Sequence, residues 1–152
     1  MPLRAIAYVS EASADLSTAG LDVLVEDAAR FNTLAGVTGV LLFDGERFLQ
    51  YYEGPEDGIA AVHERILHAR SHRAIIELNR GPVPQRSFPY WGMRWLAVDT
   101  ALIRQLAIGD WAGFARRMDD GSMAGSGLEQ LLTLVARALD VAPPPLQPHT
   151  VS

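Results

Sequence analysis

Thr38-Gly39-Val40-Leu41-Leu42-Phe43 and Arg47-Phe48-Leu49-Gln50-Tyr51-Tyr52 are two apolar runs that flank Asp44-Gly45. Asp-Gly between strands favours a two-residue type I′ hairpin, because glycine tolerates φ > 0. That turn implies a register in which Phe43 faces Glu46, Leu41 faces Phe48 and Gly39 faces Gln50. Gln50 then stands opposite a residue without a side chain. A polar amide in mid-strand with empty space over its partner invites a ligand; the alternative is a bond to a neighbouring polar side chain. Both faces of the hairpin are apolar, since Val40, Leu42 and Leu49 point away from Leu41 and Phe48. The reverse face therefore needs a cover of its own.

Working outward, Leu3 to Ser10 reads as a strand. Residues 18 to 31 fit a helix, with Leu21, Leu24, Val25, Ala28 and Ala29 on one stripe. A second helix fits residues 57 to 70, with Ile59, Val62 and Ile66 on one face. Ala74 to Leu78 and Trp91 to Val98 read as two further strands, joined by a loop holding Pro82, Pro84 and Pro89. The order β-α-β-β-α-β-β predicts an α+β, ferredoxin-like sheet with both helices on one face. Asp99-Thr100 offers an N-cap for a helix over about 101–108. Trp111, Phe114, Ala115 and Met118 continue at helical spacing, Asp119 to Gly127 is a flexible break, and Leu128, Leu131, Leu132, Val135 and Leu139 form an amphipathic helix. These C-terminal helices are the expected cover. The expected organisation is a domain over 1–98, a helical extension over 99–140 and a disordered tail over 141–152.

The 152 residues favour a single domain, and 49% hydrophobic against 20% charged residues excludes wholesale disorder. A net charge of −5 and a pI near 5.3 argue against nucleic acid as a partner, since neutralising phosphates needs clustered Lys and Arg. No apolar run approaches the roughly 20 residues of a membrane span, and the N-terminus lacks a signal-peptide h-region, so no membrane partner and a cytoplasmic location are expected. The absence of cysteine excludes disulfides, thiolate catalysis, thiolate metal sites and photochemistry through a cysteinyl–flavin adduct.

Nucleotide and hydrolase motifs are missing: no GxGxxG, no GxxxxGK[ST] and no GxSxG. Glu64, His68 and His72, at i, i+4 and i+8, have metal-ligand spacing, yet histidines in the last turn of a helix complement its dipole, and no metal is expected. Adjacent acids such as Glu26-Asp27 diverge on a helix and make no acid/base couple. The more suggestive set is Tyr8 on the first strand, Asn32 at the end of the first helix, Gln50 on the hairpin, and Trp91 and Met93 on the last strand. Singly these read as a buried tyrosine, a helix cap and core residues. Together they supply a phenol, two amides and an apolar rim, which suit a flat heteroaromatic ring with donors and acceptors along one edge.

Over Leu3 to Leu96 the chain resembles the BLUF family, blue-light sensors that use flavin adenine dinucleotide. The resemblance rests on Ala7-Tyr8-Val9-Ser10, on Arg30-Phe31-Asn32 with Gly36-Val37-Thr38-Gly39, and on Phe48-Leu49-Gln50-Tyr51-Tyr52-Glu53-Gly54. Arg70-Ser71-His72, Arg86-Ser87-Phe88 and Trp91-Gly92-Met93 complete it. The string F-L-Q-x-x-E-G after a Thr-Gly strand is its most specific part. The resemblance implies a non-enzymatic photoreceptor binding FAD, with FMN or riboflavin as substitutes. The ring is expected between the two helices, flanked by Leu24 and Ile66, with Asn32 on its polar edge and Gln50 between it and Tyr8. Phe31, Phe48 and His72 are also implied near the flavin. On excitation Tyr8 gives an electron and a proton through Gln50. The Gln50 amide then rotates or tautomerises to a metastable red-shifted state, with Trp91 or Met93 beside it.

Some positions depart from the family. Phe31 stands where a polar residue often precedes the flavin-binding Asn. The usual Asp-x-Arg-His reads Ala69-Arg70-Ser71-His72, which leaves Arg65, Arg70 or Arg73 as phosphate candidates. The rival readings are a cofactor-free interaction module and a small ferredoxin-like enzyme. With no output domain in view, the signal is expected to pass through the C-terminal helices to an unidentified downstream protein or to homo-oligomerisation.

Overall fold

The structure, a computed structural model, describes residues 2–112 and 126–139. Its elements run β1 (Leu3–Ala12), α1 (Thr18–Ala35), β2 (Thr38–Phe43), β3 (Arg47–Pro55), α2 (Glu56–Leu67), β4 (His72–Val83), β5 (Arg94–Ala97), α3 (Thr100–Ala107) and α4 (Gly127–Ala138). The five strands form one sheet in the order β4-β1-β3-β2-β5, antiparallel except for the parallel β2–β5 pair. This is the expected α+β, ferredoxin-like arrangement. No helix among the described residues is long and apolar enough to cross a membrane.

Alternation along β2 and β3 builds two cores. On one face Leu41, Phe43, Phe48 and Tyr52 pack with Leu21 and Val25 of α1 and Ile59 and Val62 of α2. On the other, Val40, Leu42, Leu49 and Tyr51 pack with Ile103 and Leu106 of α3, Trp111, and Leu128, Leu131 and Val135 of α4. The C-terminal helices thus cover the reverse face of the hairpin. Full burial of such side chains stabilises by about 1.5–3 kcal/mol each, enough to fix the strand faces. The expected continuation through Phe114 and Met118, most of the glycine-rich break and the tail over 141–152 lie outside the described residues.

The hairpin register differs from the one expected. Phe43 pairs with Phe48, Leu41 with Gln50, and Gly39 with Tyr52. The Asp44 carboxylate accepts from the backbone N–H groups of Glu46 at 2.8 Å and Arg47 at 2.7 Å, while the Asp44 N–H donates to the Arg47 carbonyl. The two-residue loop is therefore Gly45-Glu46, with Gly45 at φ +102° in its first position, the type II′ requirement. Pairing moves by two residues, so every side chain keeps its face. Gly39 is needed for contact rather than for ligand space: a Cβ there would lie 2.1 Å from the Tyr51 carbonyl oxygen.

The last strand also differs. It begins at Arg94, so Trp91 and Met93 precede it rather than lie on it. At Gly92 the chain passes so close to α1 that a Cβ would meet the Ala29 carbonyl oxygen at 2.4 Å. There the Gly92 carbonyl accepts from the Asn32 side chain instead of a ladder partner. β4 runs longer than expected and takes in Pro82, which an edge strand tolerates because its missing N–H is not needed by a neighbour. α1 also runs past residue 31, and Gly36 at φ +77° takes its left-handed C-cap, so Asn32 lies inside the last turn.

Candidate functional site

Tyr8 on β1 is the direct cross-strand partner of Gln50 on β3, and both side chains point to the face beneath α1 and α2. The Tyr8 hydroxyl donates to Gln50 Oε1. At the other end of the same amide, Gln50 Nε2 donates to the Sδ of Met93 at 3.8 Å. Asn32 on α1 donates through Nδ2 to the Gly92 carbonyl at 2.8 Å, which leaves its Oδ1 without a partner among the described residues. A phenol, a glutamine amide, a thioether and an asparagine carbonyl thus converge from four separate stretches of chain.

They lie at the floor of an open cleft enclosing about 650 Å³ of free space, mouth included. Leu24, Val25 and Ala28 of α1 form one wall; Val62 and Ile66 of α2 form the other. Tyr8, Leu41, Phe48 and Gln50 supply the sheet side, and His72 closes one end. Small side chains at Ala28 and Ala69 keep the space open. Arg65 is the one cation lining it among the described residues. It makes no ion pair there, and its guanidinium stacks over the Phe31 ring at 4.7 Å.

Burial, and then the neighbouring Tyr52, push the Tyr8 hydroxyl well above its ordinary value, so the phenol stays neutral and keeps its proton for Gln50. Burial likewise lowers His72 from 6.5, despite the bond to Ile66. Because a carbonyl only accepts, His72 Nε2 carries the proton donated to Ile66 at 3.2 Å, and Nδ1 accepts from the Ser10 hydroxyl at 2.8 Å. His72 is thus a neutral strut between β1 and the end of α2.

Of the residues nominated from sequence, Tyr8, Leu24, Asn32, Phe48 and Gln50 line the cleft, as do Arg65, Ile66, His72 and Met93. Phe31 sits outside it, under Arg65. Arg70 is exposed away from the lining, and Arg73 pairs with Glu11 at 3.4 Å. Trp91 packs with the opposite core, its ring under the Arg94 guanidinium. Sequence reasoning missed Val25, Ala28, Leu41, Val62, Ala69 and Ser71 as lining. Val25, Ala28 and Val62 were visible as helical apolar positions, but periodicity does not separate a core face from a cleft wall.

A flavin ring is flat, apolar on both faces and polar along one edge. Opposed apolar walls, the unpartnered Asn32 Oδ1 and a Gln50 N–H held only by a thioether fit such a ring. Fold and cleft together define a ferredoxin-like domain with an open, mostly apolar cleft between two helices. Residues 3–94 match the model of the family described as sensors of blue-light using FAD, and the chain belongs to this BLUF family. It is 34% identical over 91 residues to the blue light- and temperature-regulated antirepressor BluF of Escherichia coli, covering 60% of this chain and 23% of that protein. It is 28% identical over 87 residues to the photoactivated adenylate cyclase subunit beta of Euglena longa, covering 57% of this chain and 10% of that one. The chain therefore spans a quarter or less of these relatives. Among solved structures, BlrP1 BLUF superposes with a TM-score of 0.62 at 28% identity, covering 96% of this chain and 99% of that one. A longer structure of Klebsiella pneumoniae BlrP1 with FMN and cyclic diGMP gives 0.59 at 27% identity, covering 91% and 35%.

Proposed function

We propose that this chain is a cytoplasmic blue-light photoreceptor that holds a flavin non-covalently and passes a light-dependent change to a protein partner, without catalysing a reaction itself. The observation that carries the reading is the relay from the Tyr8 hydroxyl through the Gln50 amide to Met93 at the floor of the cleft. Leu24 and Ile66 would flank the ring, Asn32 and Gln50 would meet its polar edge, and Arg65 at the cleft would hold a phosphate of FAD or FMN. FAD is the expected cofactor from the family, and FMN in a structure of BlrP1 shows that a neighbour accepts the shorter form.

A bound flavin supplies the blue-light absorption and an acceptor for one electron and one proton. Tyr8, a buried neutral phenol, is the donor, and its hydroxyl proton has one acceptor in place, Gln50 Oε1. Were Oε1 to take that proton as Nε2 gave one up toward the flavin, the amide would stay neutral with its hydrogen-bond polarity reversed, which would favour rotation or tautomerisation of Gln50. The opposite end resists little, because a thioether is a weak acceptor. The amide therefore changes which group it offers to the cleft while the backbone stays in register.

The test is the visible spectrum of the purified protein before and after blue light. A flavin spectrum that shifts reversibly to the red supports the proposal. A colourless protein that takes up no added flavin points to the cofactor-free module, and bound flavin without a shift leaves a binder that does not sense. A pull-down compared in light and dark then tests the partner.

A further inference from the structure

Glu53 is fully buried on β3, three residues from Gln50 and on the opposite face of the sheet. Its Oε2 accepts from the backbone N–H of Ser87 at 2.7 Å and of Phe88 at 2.6 Å, and its Oε1 accepts from the Tyr51 hydroxyl at 2.8 Å. Arg86 secures the same place from outside, donating to Thr38 Oγ1 at 2.8 Å and to the carbonyls of Gly36 at 2.7 Å and Glu53 at 3.3 Å. A buried carboxylate with donors of this kind is firmly held, and it fixes whatever carries the donors.

What it fixes is the start of the connection over residues 84–93. That stretch leaves the edge strand β4, crosses the end of the sheet and delivers Met93 to Gln50. Further along it, the Gly39 N–H donates to the Trp91 carbonyl at 3.1 Å and Asn32 to the Gly92 carbonyl at 2.8 Å. Phe88 is buried against Tyr51, ring centroids 5.6 Å apart, and Pro89 limits the slack that follows. The same strand therefore carries the amide that switches and, on its other face, the carboxylate that anchors the chain leading to the amide's thioether partner.

We infer that Glu53 is a positioning residue, seating Met93 against the Gln50 amide by holding Ser87 and Phe88. The inference rests on the photoreceptor reading only for its kinetic consequence. In the full chain Glu53→Ala should speed exchange of the Ser87 and Phe88 amides by roughly tenfold or more. It should also move the Met93 methyl resonance and change the rate of dark recovery severalfold. Glu53→Gln should restore all three, because its carbonyl oxygen still accepts both N–H groups while its amide donates to Tyr51. Where Glu53→Ala does not fold, Arg86→Ala, on the half-exposed side of the anchor, should produce the same Met93 and recovery changes. The inference fails if Ser87 and Phe88 loosen while Met93 and recovery keep their wild-type values, or if the glutamine variant restores nothing. A wild-type protein with no light response would defeat the photoreceptor reading, while exchange and the Met93 resonance would still judge Glu53.

Discussion

Gln50 holds two unequal partners: its Oε1 takes the Tyr8 hydroxyl, and its Nε2 lies 3.8 Å from the Sδ of Met93. One end of the amide is gripped and the other is lightly held, because a phenol donates strongly and a thioether accepts weakly. In the proposed mechanism this asymmetry would let the Gln50 side chain reorient within a packed sheet.

Tyr8→Phe should keep the flavin and abolish the red shift. The ring volume is nearly conserved, so packing survives, while the proton and hydroxyl are gone. Difference spectra after blue illumination provide the check, and a normal reversible shift would remove Tyr8 from the relay.

Gln50→Leu should also lose the shift while the fold holds, since Leu41 and Phe48 already make this stretch apolar. Circular dichroism should match wild type and the light-minus-dark difference should be flat. A variant that cycles normally would mean that another amide carries the change.

Asn32→Ala should lower the flavin-to-protein ratio after purification. It deletes the unpartnered Oδ1 and the bond to Gly92, and losing that bond costs about 0.5–1.5 kcal/mol in stability. Wild-type flavin content together with wild-type melting would refute both roles.

Acid should weaken the fold through His72. Burial holds this imidazole below its ordinary 6.5 in the folded state, so the unfolded chain binds the extra proton first. The stabilising effect of a neutral His72 is complete above that value and is lost as pH falls from 6.5 toward the lower folded value. His63 is lowered in the same sense, so His72→Gln isolates one contribution. Denaturant midpoints measured between about pH 7.5 and 5.5 should fall less steeply in the variant than in wild type.

Gly127→Ala tests the seating of α4. A Cβ there would lie 2.4 Å from the Trp111 ring, so the variant must displace the start of the helix, at about 1–3 kcal/mol of stability. The spectral shift should survive, because Trp111 and Gly127 lie across the sheet from the cleft, while dark recovery or self-association changes. Loss of the shift itself would show that the two faces are coupled more tightly than this packing implies.

Alternation and spacing are enough to determine the two faces of the hairpin, the helices over it and the need for a cover beneath it, because period and polarity are local properties of the chain. Tyr8 and Gln50 are readable for the same reason, each a polar residue in an otherwise apolar stretch, whereas Asn32, between Arg30-Phe31 and Thr33, stands out only as one member of the set. The hairpin register is not, since it depends on the Asp44 carboxylate accepting two backbone N–H groups in place of the Asp-Gly turn that composition favours. Nor is the choice between Trp91 and Met93. Two residues apart, they enter opposite cores because Gly92, pressed against α1 and bound by Asn32, turns the chain between them. The side-chain partners of Asn32 and Gln50, and the Ser87 and Phe88 amides that Glu53 accepts from, lie more than thirty residues away along the chain. No local pattern carries such pairs, and only closure of the sheet brings them within bonding distance.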